Sequence, residues 1–397
     1  MNNFHTYDFD GKRALVRVDF NVPLDENQQV TDNTRIKAAI PTILNITLNG
    51  GVAVLVSHLG RPNGAIDPKL SLKPIALELK KLTGRKILFA KQTVGKGIAQ
   101  AIKGLKPGQI LLLENLRFHP EEKKGDKEFA KQLADLGCDV YVNDAFGTAH
   151  RAHASTSVVA DFFDEKDVLG GYLMSSEIKS AQKVLDESEK PFVAILGGAK
   201  VSDKIQLIEN LMDRASHIVI GGAMAYTFSK AAGGKVGNSL VEDDKIALAK
   251  ELVKKAKEKG VELVLPVDTV IANKFANDAQ KKVVDSGKIP DGWEGLDIGP
   301  KSSKLFNDLL VKAKTVLWNG PMGVFEFENF AHGTKSVAES VGKATQNGAF
   351  SLIGGGDSVA AIKKYGLENN VSHISTGGGA LLEFFEGKEL PGIKALG

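Results

Sequence analysis

Short, continuously apolar runs alternate with amphipathic stretches along the whole of this 397-residue chain. A strand that is covered on both faces has apolar residues at every position, whereas a strand with one face in water alternates apolar and polar residues. The runs therefore predict parallel strands buried between two layers of helices. The predicted strands are ALVRVDF (14–20), VAVLVSH (52–58), KILFA (86–90), ILLLE (110–114), DVYVND (139–144), FVAILGG (192–198), HIVIGG (217–222), ELVLP (262–266), TVLWNG (315–320) and FSLIGGG (350–356).

The strand and helix patterns come in two successive sets, and 397 residues exceed what one hydrophobic core usually organises. Amphipathic stretches lie at 71–83, 126–137, 204–214 and 244–259. A glycine pair opens a further helical stretch that ends at Pro191, and we place the domain boundary in this region, 170–191. The pattern predicts an α/β protein with two doubly wound, Rossmann-like parallel-sheet domains, 1–170 and 171–380, joined by a hinge helix.

Arginine and glycine are unequally distributed between the two halves. Seven of the eight arginines precede residue 152, and 29 of the 42 glycines follow residue 169. The planar guanidinium grips carboxylates and phosphates with two hydrogen bonds. Glycines at helix starts let backbone N–H groups approach a phosphate. We therefore expect the first half to bind a small anion with side chains, and the second to hold a phosphorylated ligand against backbone.

Charge and cysteine content exclude several classes of protein. The net charge of +3 falls entirely within the first 169 residues. This bias suits a small acidic substrate, whereas nucleic-acid binding requires a dense basic stripe. Cys138 is the only cysteine, which excludes an internal disulfide, and its context LGCDVYVND predicts a buried, unreactive thiol at the start of a strand. No signal-peptide pattern or membrane-length apolar run is present, so we expect a cytoplasmic protein that binds neither nucleic acid nor a membrane.

Polar side chains follow four of the predicted strands in the first half. Because ligands of open parallel sheets bind beyond the carboxyl ends of the strands, these residues predict one shared site. The candidates are Asp19 and Asn21 at the end of the first strand, His58 and Arg61 at the end of the second, Arg117 after the fourth and Arg151 after the fifth. Each could instead be an ordinary surface or structural residue, but these three arginines, together with Arg35 at a predicted helix start, favour an anion site.

Arg35 follows TDNT, a run of helix N-cap residues, and so lies in the first turn of a predicted helix. A cation there opposes the helix dipole by roughly 0.3–1 kcal/mol, and a bound anion would reverse the sign. The alternative is a surface arginine paired with Asp32. His150 and His153 have a spacing found in metal sites, but no cysteines or carboxylate cluster accompany them.

Three glycine-rich junctions in the second half predict a phosphate site. GGAKVSDKI (197–205) is expected to open a helix that carries Lys200 and Lys204 on one face, and GGGDS (354–358) places Asp357, a candidate Mg²⁺ ligand, at another helix start. STGGGA (375–380) forms the third junction. Tight strand–helix turns are the alternative for each glycine cluster. Neither GxxxxGK[ST] nor GxGxxG is matched, which argues against a common phosphate-binding loop and against a dinucleotide site.

Taken in order, these motifs resemble the phosphoglycerate kinase family over essentially the whole chain. The matching segments are RVDFNVP, SHLGRP, ENLRFH, NDAFGTAHRAHAS, GGAKVSDK, GWEGLDIGP, WNGPMGVFE, GGGDS and STGGGA. The resemblance implies a 3-phosphoglycerate site formed by Asp19, Phe20, Asn21, Arg35, His58, Leu59, Gly60, Arg61, Arg117 and Arg151. It implies a nucleotide site formed by Lys200, Lys204, Gly295, Glu326, Gly354, Gly355, Gly356 and Asp357.

The resemblance also implies that Asp357 holds Mg²⁺ and that Arg35 and Lys200 are catalytic. Gly377, Gly378 and Gly379 would form an anion site for the transition state, and 381–397 would pack back on the first domain. The implied reaction is reversible phosphoryl transfer between ATP and the carboxylate of 3-phosphoglycerate, giving ADP and 1,3-bisphosphoglycerate, in a monomer. Substrates held by separate domains predict a cleft and a hinge closure.

Two other functions share parts of this pattern. A nicotinamide-dependent dehydrogenase has the same architecture, but GxGxxG and its downstream acidic residue are missing. A non-catalytic binding protein for a phosphorylated metabolite would explain the arginines and the hinge. It gives no reason for a second phosphate site suited to Mg²⁺.

Overall fold

The computed structural model describes residues 3–62 and 64–397. The chain divides into two compact units: unit 1 comprises Met1–Lys179 and Glu389–Gly397, and unit 2 comprises Ser180–Lys388. The C-terminal segment is held in unit 1 by backbone contacts, because Gly392 N donates to Ala149 O at 2.8 Å.

The strands follow the chain in two groups. Those of unit 1 are β1 (Arg13–Val18), β2 (Val52–Val56), β3 (Ile87–Phe89), β4 (Ile110–Leu112), β5 (Val140–Asp144) and β6 (Val168–Gly170). Those of unit 2 are β7 (Phe192–Leu196), β8 (His217–Ile220), β9 (Lys235–Val236), β10 (Glu262–Val264), β11 (Asp268–Ala272), β12 (Lys281–Asp285), β13 (Lys288–Ile289), β14 (Glu294–Ile298), β15 (Thr315–Asn319), β16 (Phe350–Gly354) and β17 (His373–Ile374).

The α-helices alternate with these strands. The first are α1 (Thr34–Leu48), α2 (Lys73–Thr83), α3 (Lys96–Lys103), α4 (Pro120–Lys124), α5 (Lys127–Ala134) and α6 (Tyr172–Asp186). They are followed by α7 (Ile205–Leu211), α8 (Met224–Ala231), α9 (Ile246–Glu258), α10 (Pro300–Leu310), α11 (His332–Gln346), α12 (Gly356–Lys364), α13 (Gly378–Phe385) and α14 (Pro391–Lys394). Among the described residues, no helix has both the length and the apolar character needed to cross a membrane.

Local sequence signals explain several helix ends. α2 has proline in its first turn, where no N–H is needed, and ends at Gly84, whose φ of 67° lies in the left-handed region that favours glycine. α5 begins after Asp126, whose carboxylate accepts from Phe129 N at 2.8 Å. Along the chain, α2 lies between β2 and β3, and α5 lies between β4 and β5.

In unit 1 the strand order β3-β4-β2-β1-β5-β6 is parallel throughout. The chain proceeds from β1 to β2 on one side, whereas β5 pairs with β1 on the other. The order therefore reverses between β1 and β5, and ligands bind beside such a reversal at the carboxyl edge. The apolar strand residues and α1 form the core, in which Val16, Val18 and Phe20 are fully buried.

Unit 2 repeats this arrangement with the parallel order β10-β8-β7-β15-β16-β17. Its reversal lies between β7 and β15, and its core includes the fully buried Trp318. A three-stranded antiparallel sheet, β12-β11-β14, and a small parallel pair, β13-β9, accompany the main sheet.

The predicted parallel α/β architecture is confirmed in both units, and each predicted strand is present. Three local predictions were wrong. The segment 197–205 does not place Lys200 on a helix, because α7 begins only at Ile205 and Lys204 is its N-cap residue. α6 ends at Asp186, before Pro191, and Cys138 precedes β5, which begins at Val140. Strands β6, β9, β11 to β14 and β17 were not predicted.

Candidate functional site

Arg35 is anchored to the chain that follows β1. Its Nη1 lies 3.1 Å from Asp19 Oδ2 and donates to Asn21 O at 3.0 Å. The alternative partner, Asp32, instead accepts from Thr34 N at 2.9 Å. The guanidinium is therefore held at the end of β1, in the first turn of α1, with 35% of its side chain still exposed. A cation in the first turn of a helix favours an anion, because the anion then faces both the guanidinium and the positive end of the helix dipole.

Gly60 connects the polar residues of three strand ends. Its N–H donates to Asn21 Oδ1 at 2.9 Å, and its carbonyl accepts from Arg117 Nη1 at 2.7 Å. The φ of Gly60 is +63°, in the left-handed region that favours glycine. The backbone at Gly60 thus fixes Arg117 relative to the end of β1.

Phe20 and Leu59 have buried side chains and occupied backbone donors. Phe20 N donates to Ser57 Oγ at 2.9 Å, and Leu59 N donates to Asn115 Oδ1 at 3.1 Å. These two residues therefore shape the site and have no free N–H to offer a ligand. Asn115, which the sequence did not single out, also accepts from Arg117 N at 3.0 Å.

The side chains at this edge carry positive charge in partly buried surroundings. Burial lowers the pKa of Arg117, and the neighbouring cation Arg17 adds to this effect. Arg117 Nε is buried and has no hydrogen-bond partner among the described residues. Arg61 and Arg151 are exposed. A buried cationic donor without a hydrogen-bond partner costs free energy unless a ligand supplies the acceptor. This edge is therefore suited to an anion.

The histidines of this region do not form a metal cluster. Burial lowers the pKa of His153 to about 4, with Arg17 and Arg117 contributing. In the part of the chain that the structure describes, no three residues among His, Cys, Asp and Glu are grouped to hold a metal ion.

In unit 2, two helices begin at glycine-rich turns beside the reversal of the sheet. α12 follows Gly355, whose φ is 83°, and carries Asp357 exposed in its first turn. α13 follows Gly377. A cavity of about 370 Å³ lies between these starts, and it is lined by Gly197, Gly198, Ala199, Lys200, Asp203, Lys204, Asn319, Gly320, Pro321, Gly355, Gly356, Asp357, Gly378, Gly379 and Leu382. We call this space the glycine cavity.

Two lysines bring positive charge to the glycine cavity from the loop after β7. Lys200 is exposed, whereas Lys204 is partly buried and its Nζ donates to Asn319 Oδ1. Burial lowers the pKa of Lys204. Asn319 ends β15, and the sequence analysis missed it although it occupies a strand end.

A second cavity, of about 420 Å³, continues from the first. Both include Gly198, Ala199, Pro321 and Asp357 in their walls. Its lining is largely apolar, with Tyr226, Leu240, Phe275, Leu296 and Val324 together with the predicted site residues Gly295 and Glu326. We call this space the apolar cavity. The two cavities form one groove with an apolar end and a cationic, glycine-lined end.

Two predicted glycines do not line this groove. A Cβ on Gly354 would lie 2.5 Å from Leu381 Cδ2, so its absence allows α13 to pack on β16. Gly377 is buried as the N-cap residue of α13. Of the three C-terminal glycines, Gly378 and Gly379 face the glycine cavity.

The family of the chain follows from comparison with known proteins. The sequence model of the phosphoglycerate kinase family matches residues 4–388. The chain belongs to the phosphoglycerate kinase family. It is 51% identical to the phosphoglycerate kinase of Porphyromonas gingivalis, with 98% of each chain covered. It is 54% identical to cytosolic phosphoglycerate kinase 3 of Arabidopsis thaliana, with 98% of this chain and 96% of the relative covered.

Solved structures of this family have the same fold. The phosphoglycerate kinase of Coxiella burnetii superposes with a TM-score of 0.88 at 40% identity, covering 98% of this chain and 97% of the other. That of Pyrococcus horikoshii gives a TM-score of 0.85 at 32% identity, covering 100% and 98%. The chain is thus a phosphotransferase with a carboxyl group as acceptor. It catalyses the family reaction between ATP and 3-phosphoglycerate, so the dehydrogenase and binding-protein alternatives are wrong.

Proposed function

We propose that unit 1 binds 3-phosphoglycerate at the carboxyl edge of its sheet and that unit 2 binds ATP, with Mg²⁺, in the groove formed by the two cavities. The observation that carries this assignment is the composition of that groove. An apolar end suits a purine base, and a glycine- and lysine-lined end suits a chain of phosphates. The arginine-rich edge of unit 1 suits the smaller acceptor, which has a carboxylate and a phosphate.

Each acceptor residue has a proposed role that follows from its surroundings. Arg117, Arg61 and Arg151 bind the phosphate of 3-phosphoglycerate, because bidentate guanidinium contacts suit it. Asp19 and Asn21 orient Arg35 and accept from the substrate hydroxyl. His58 donates to the bound anion. The relative positions of these groups are fixed by the backbone contacts of Phe20, Leu59 and Gly60 described above.

The donor residues divide between the two ends of the groove. Gly295 allows the base to lie flat against the backbone, and Glu326 accepts from the ribose hydroxyls. The phosphates contact Lys200, Lys204 and the backbone of the Gly355–Gly356 turn. Gly354 packs against α13 and so holds that turn in place. Gly378 and Gly379 bind the anionic phosphoryl group during transfer, with α13 N–H groups as donors. Gly377 supports them as the N-cap residue of α13, because its own N–H donates to Ser375 Oγ at 3.0 Å.

Asp357 is proposed as the protein ligand of Mg²⁺. This ion is commonly bound through one or two carboxylates together with substrate phosphates, and Asp357 is an exposed carboxylate in the wall of both cavities. Mg²⁺ bound with the nucleotide neutralises charge on the phosphate oxygens.

No general base is needed in the proposed mechanism. The acceptor carboxylate is ionised at neutral pH and attacks the γ-phosphorus directly, while the bond to the β–γ bridging oxygen breaks and ADP leaves. The protein therefore positions two anions and stabilises the negative charge of the group in transfer. Arg35 and Lys200 do this with positive charge, and unit 1 with its C-terminal segment acts as the acceptor domain.

The test is an assay of phosphoryl transfer from Mg·ATP to 3-phosphoglycerate, with the acyl phosphate trapped by hydroxylamine. Product should require both substrates and Mg²⁺. For the metal role, Asp357→Asn should raise the Mg²⁺ concentration needed for half-maximal rate, whereas Asp203→Asn, another carboxylate of the glycine cavity, should leave it unchanged. If the two variants changed the Mg²⁺ requirement equally, Asp357 would not be the Mg²⁺ ligand. We also propose a cytoplasmic monomer, which fractionation and sedimentation equilibrium would test.

A further inference from the structure

A buried arginine lies beneath the proposed acceptor site, and the mechanism above does not use it. Arg17 is on β1, in register with Val56 of β2 and Asn143 of β5, and its exposed fraction is 0%. Burying a charge without partners costs a free energy on the order of several kcal/mol. The contacts of this guanidinium therefore determine why it is tolerated.

Each guanidinium nitrogen of Arg17 has a partner. Nε donates to Ser155 Oγ at 2.8 Å, Nη1 donates to Val18 O, and Nη2 lies 3.1 Å from His58 Nδ1. Ser155 Oγ in turn donates to Glu122 Oε1 at 2.6 Å, and Glu122 is also fully buried. Arg17 is thus fixed between a buried carboxylate and the histidine of the acceptor site.

The contact with Arg17 determines which nitrogen of His58 carries the proton. A guanidinium has only donors and is not deprotonated in proteins. His58 Nδ1 must therefore accept from Nη2, and the ring proton lies on Nε2. Asp19 Oδ1 is 4.0 Å from Nδ1, which is too far for a hydrogen bond. The contact with Arg17 therefore leaves Nε2–H as the donor of the neutral ring.

We propose that Arg17 is a positioning residue that holds His58 as the neutral Nε2–H tautomer, so that the ring donates one fixed hydrogen bond to bound 3-phosphoglycerate. This inference rests on the proposed acceptor role of His58. Arg17 itself is too deeply buried to touch the substrate.

The charges around His58 support a neutral ring. The groups that face it come from several elements: Arg17 on β1, Asp19 after β1, Arg35 on α1, Arg117 after β4 and His153 after β5. Burial and then the cations, with Arg17 first among them, hold the pKa of His58 well below its ordinary value. Without Arg17 the ring can place a proton on Nδ1, towards Asp19, and can become an imidazolium more easily.

The experiment is long-range ¹H–¹⁵N correlation spectroscopy on the full-length protein labelled with ¹⁵N-histidine, with and without 3-phosphoglycerate. The His58 signals are assigned by their loss in His58→Gln. In the wild type we expect the Nε2–H pattern, unchanged with pH, and a shift of Nε2–H when 3-phosphoglycerate is added. Arg17→Met should produce the Nδ1–H form or a mixture of tautomers, and should weaken 3-phosphoglycerate binding by roughly tenfold, as for a lost hydrogen bond to a charged group.

Three further variants keep the test independent of folding. Arg17→Met combined with Glu122→Gln removes both buried charges, so no unpaired carboxylate remains. Arg17→Lys retains a cationic donor and should restore the Nε2–H pattern at least in part. Arg13→Met changes an arginine on the same strand whose partners are the carbonyls of Ile102 and Lys103, and it should leave His58 unchanged.

The pH dependence of binding gives a second readout. Relative to wild type, the Arg17→Met/Glu122→Gln variant should bind 3-phosphoglycerate more tightly as the pH falls, because its His58 can gain a proton and charge. An unchanged tautomer in both Arg17→Met variants would overturn the proposal, and so would weaker binding without a tautomer change. If the Arg17 variants change the tautomer but 3-phosphoglycerate never moves the wild-type Nε2–H signal while binding normally, His58 is not an acceptor ligand. In that case the proposed function of His58 fails, and the positioning role fails with it.

Discussion

The guanidinium of Arg35 lies 3.1 Å from the carboxylate of Asp19, so a residue of the first turn of α1 is tied to the chain that follows β1. The Asp19 carboxylate is buried, with 7% of its side chain exposed, whereas 35% of the Arg35 side chain stays exposed. The consequence of the pair is geometric. The free side of the guanidinium keeps one direction, which a charge-stabilising group must have before the substrate arrives.

Arg35→Ala should lower turnover by on the order of 10³-fold, on the scale of other arginines that stabilise transferring phosphoryl groups. Steady-state kinetics with saturating Mg·ATP and 3-phosphoglycerate would measure this. Arg85→Ala is the matched control, because Arg85 is also in unit 1 and its guanidinium donates to Thr47 Oγ1 and Gly108 O. A loss below tenfold for Arg35→Ala would reduce its role to binding.

Lys204→Met should weaken ATP and ADP binding by roughly tenfold or more, because a charge-assisted contact to phosphate is lost. Binding of 3-phosphoglycerate should not change. Isothermal titration calorimetry would measure both affinities. Lys255→Met provides the control, since Lys255 pairs with Glu209 at 2.6 Å and does not line the groove. Equal nucleotide affinities in the two variants would contradict the phosphate role.

Gly356→Ala tests the glycine cavity without disturbing the core. A Cβ at Gly356 would meet no atom within 4 Å, so the free energy of unfolding should change by less than about 0.5 kcal/mol. The methyl group would nevertheless stand where the phosphates approach the backbone, and we expect roughly tenfold weaker ATP binding. Gly97→Ala in α3 also has open space and should leave ATP binding unaffected. Unchanged ATP affinity in Gly356→Ala would place the phosphates elsewhere.

Asp144 predicts a pH dependence of stability. Burial raises its pKa from 3.8 to about 6, and its Oδ2 has no hydrogen-bond partner among the described residues. Between about pH 4 and pH 6 the unfolded chain is ionised here while the folded protein still holds the proton, so stability falls as the pH rises.

Asp144→Asn removes this titration. Between about pH 4 and pH 6 the free energy of unfolding of Asp144→Asn should rise relative to that of the wild type, by at most about 3 kcal/mol. At higher pH the difference between the two proteins should stay constant. Urea unfolding at a series of pH values would show the gain. Asp161→Asn, at an exposed position of the same unit, should show the same pH dependence of the free energy of unfolding as the wild type. A constant difference between Asp144→Asn and wild type at all pH values would contradict the raised pKa.

The parallel sheets were predictable because buried strands have a distinctive composition, and the strand-end rule then selected most of the residues that we propose bind the acceptor. The antiparallel sheet was missed since strands such as β12 are largely exposed and their sequence, KKVVD, does not form an apolar run. β17 has only two residues, too few for any periodicity.

The errors within the site have physical causes of their own. Lys200 and Lys204 have helical spacing, yet a turn precedes α7 and spacing alone cannot reveal where a helix starts. Asn319 was missed although Asn21, another amide at a strand end, was selected, because the predicted site of the second half was built on glycine clusters. Arg17 was hidden inside an apolar run, although a charge in a strand buried on both faces requires partners from distant residues, here Ser155 and His58.

The return of Glu389–Gly397 to unit 1 has a consequence for how the protein is made. A ribosome delivers the residues of unit 1 up to Lys179 first, then all of Ser180–Lys388, and only then the segment whose Gly392 bonds to Ala149. The loop that carries Arg151 consequently receives this backbone partner only after Ser180–Lys388 has been synthesised. Unit 1 therefore begins to emerge before unit 2 and is completed after it, so a nascent chain can finish unit 2 while unit 1 still lacks one of its segments.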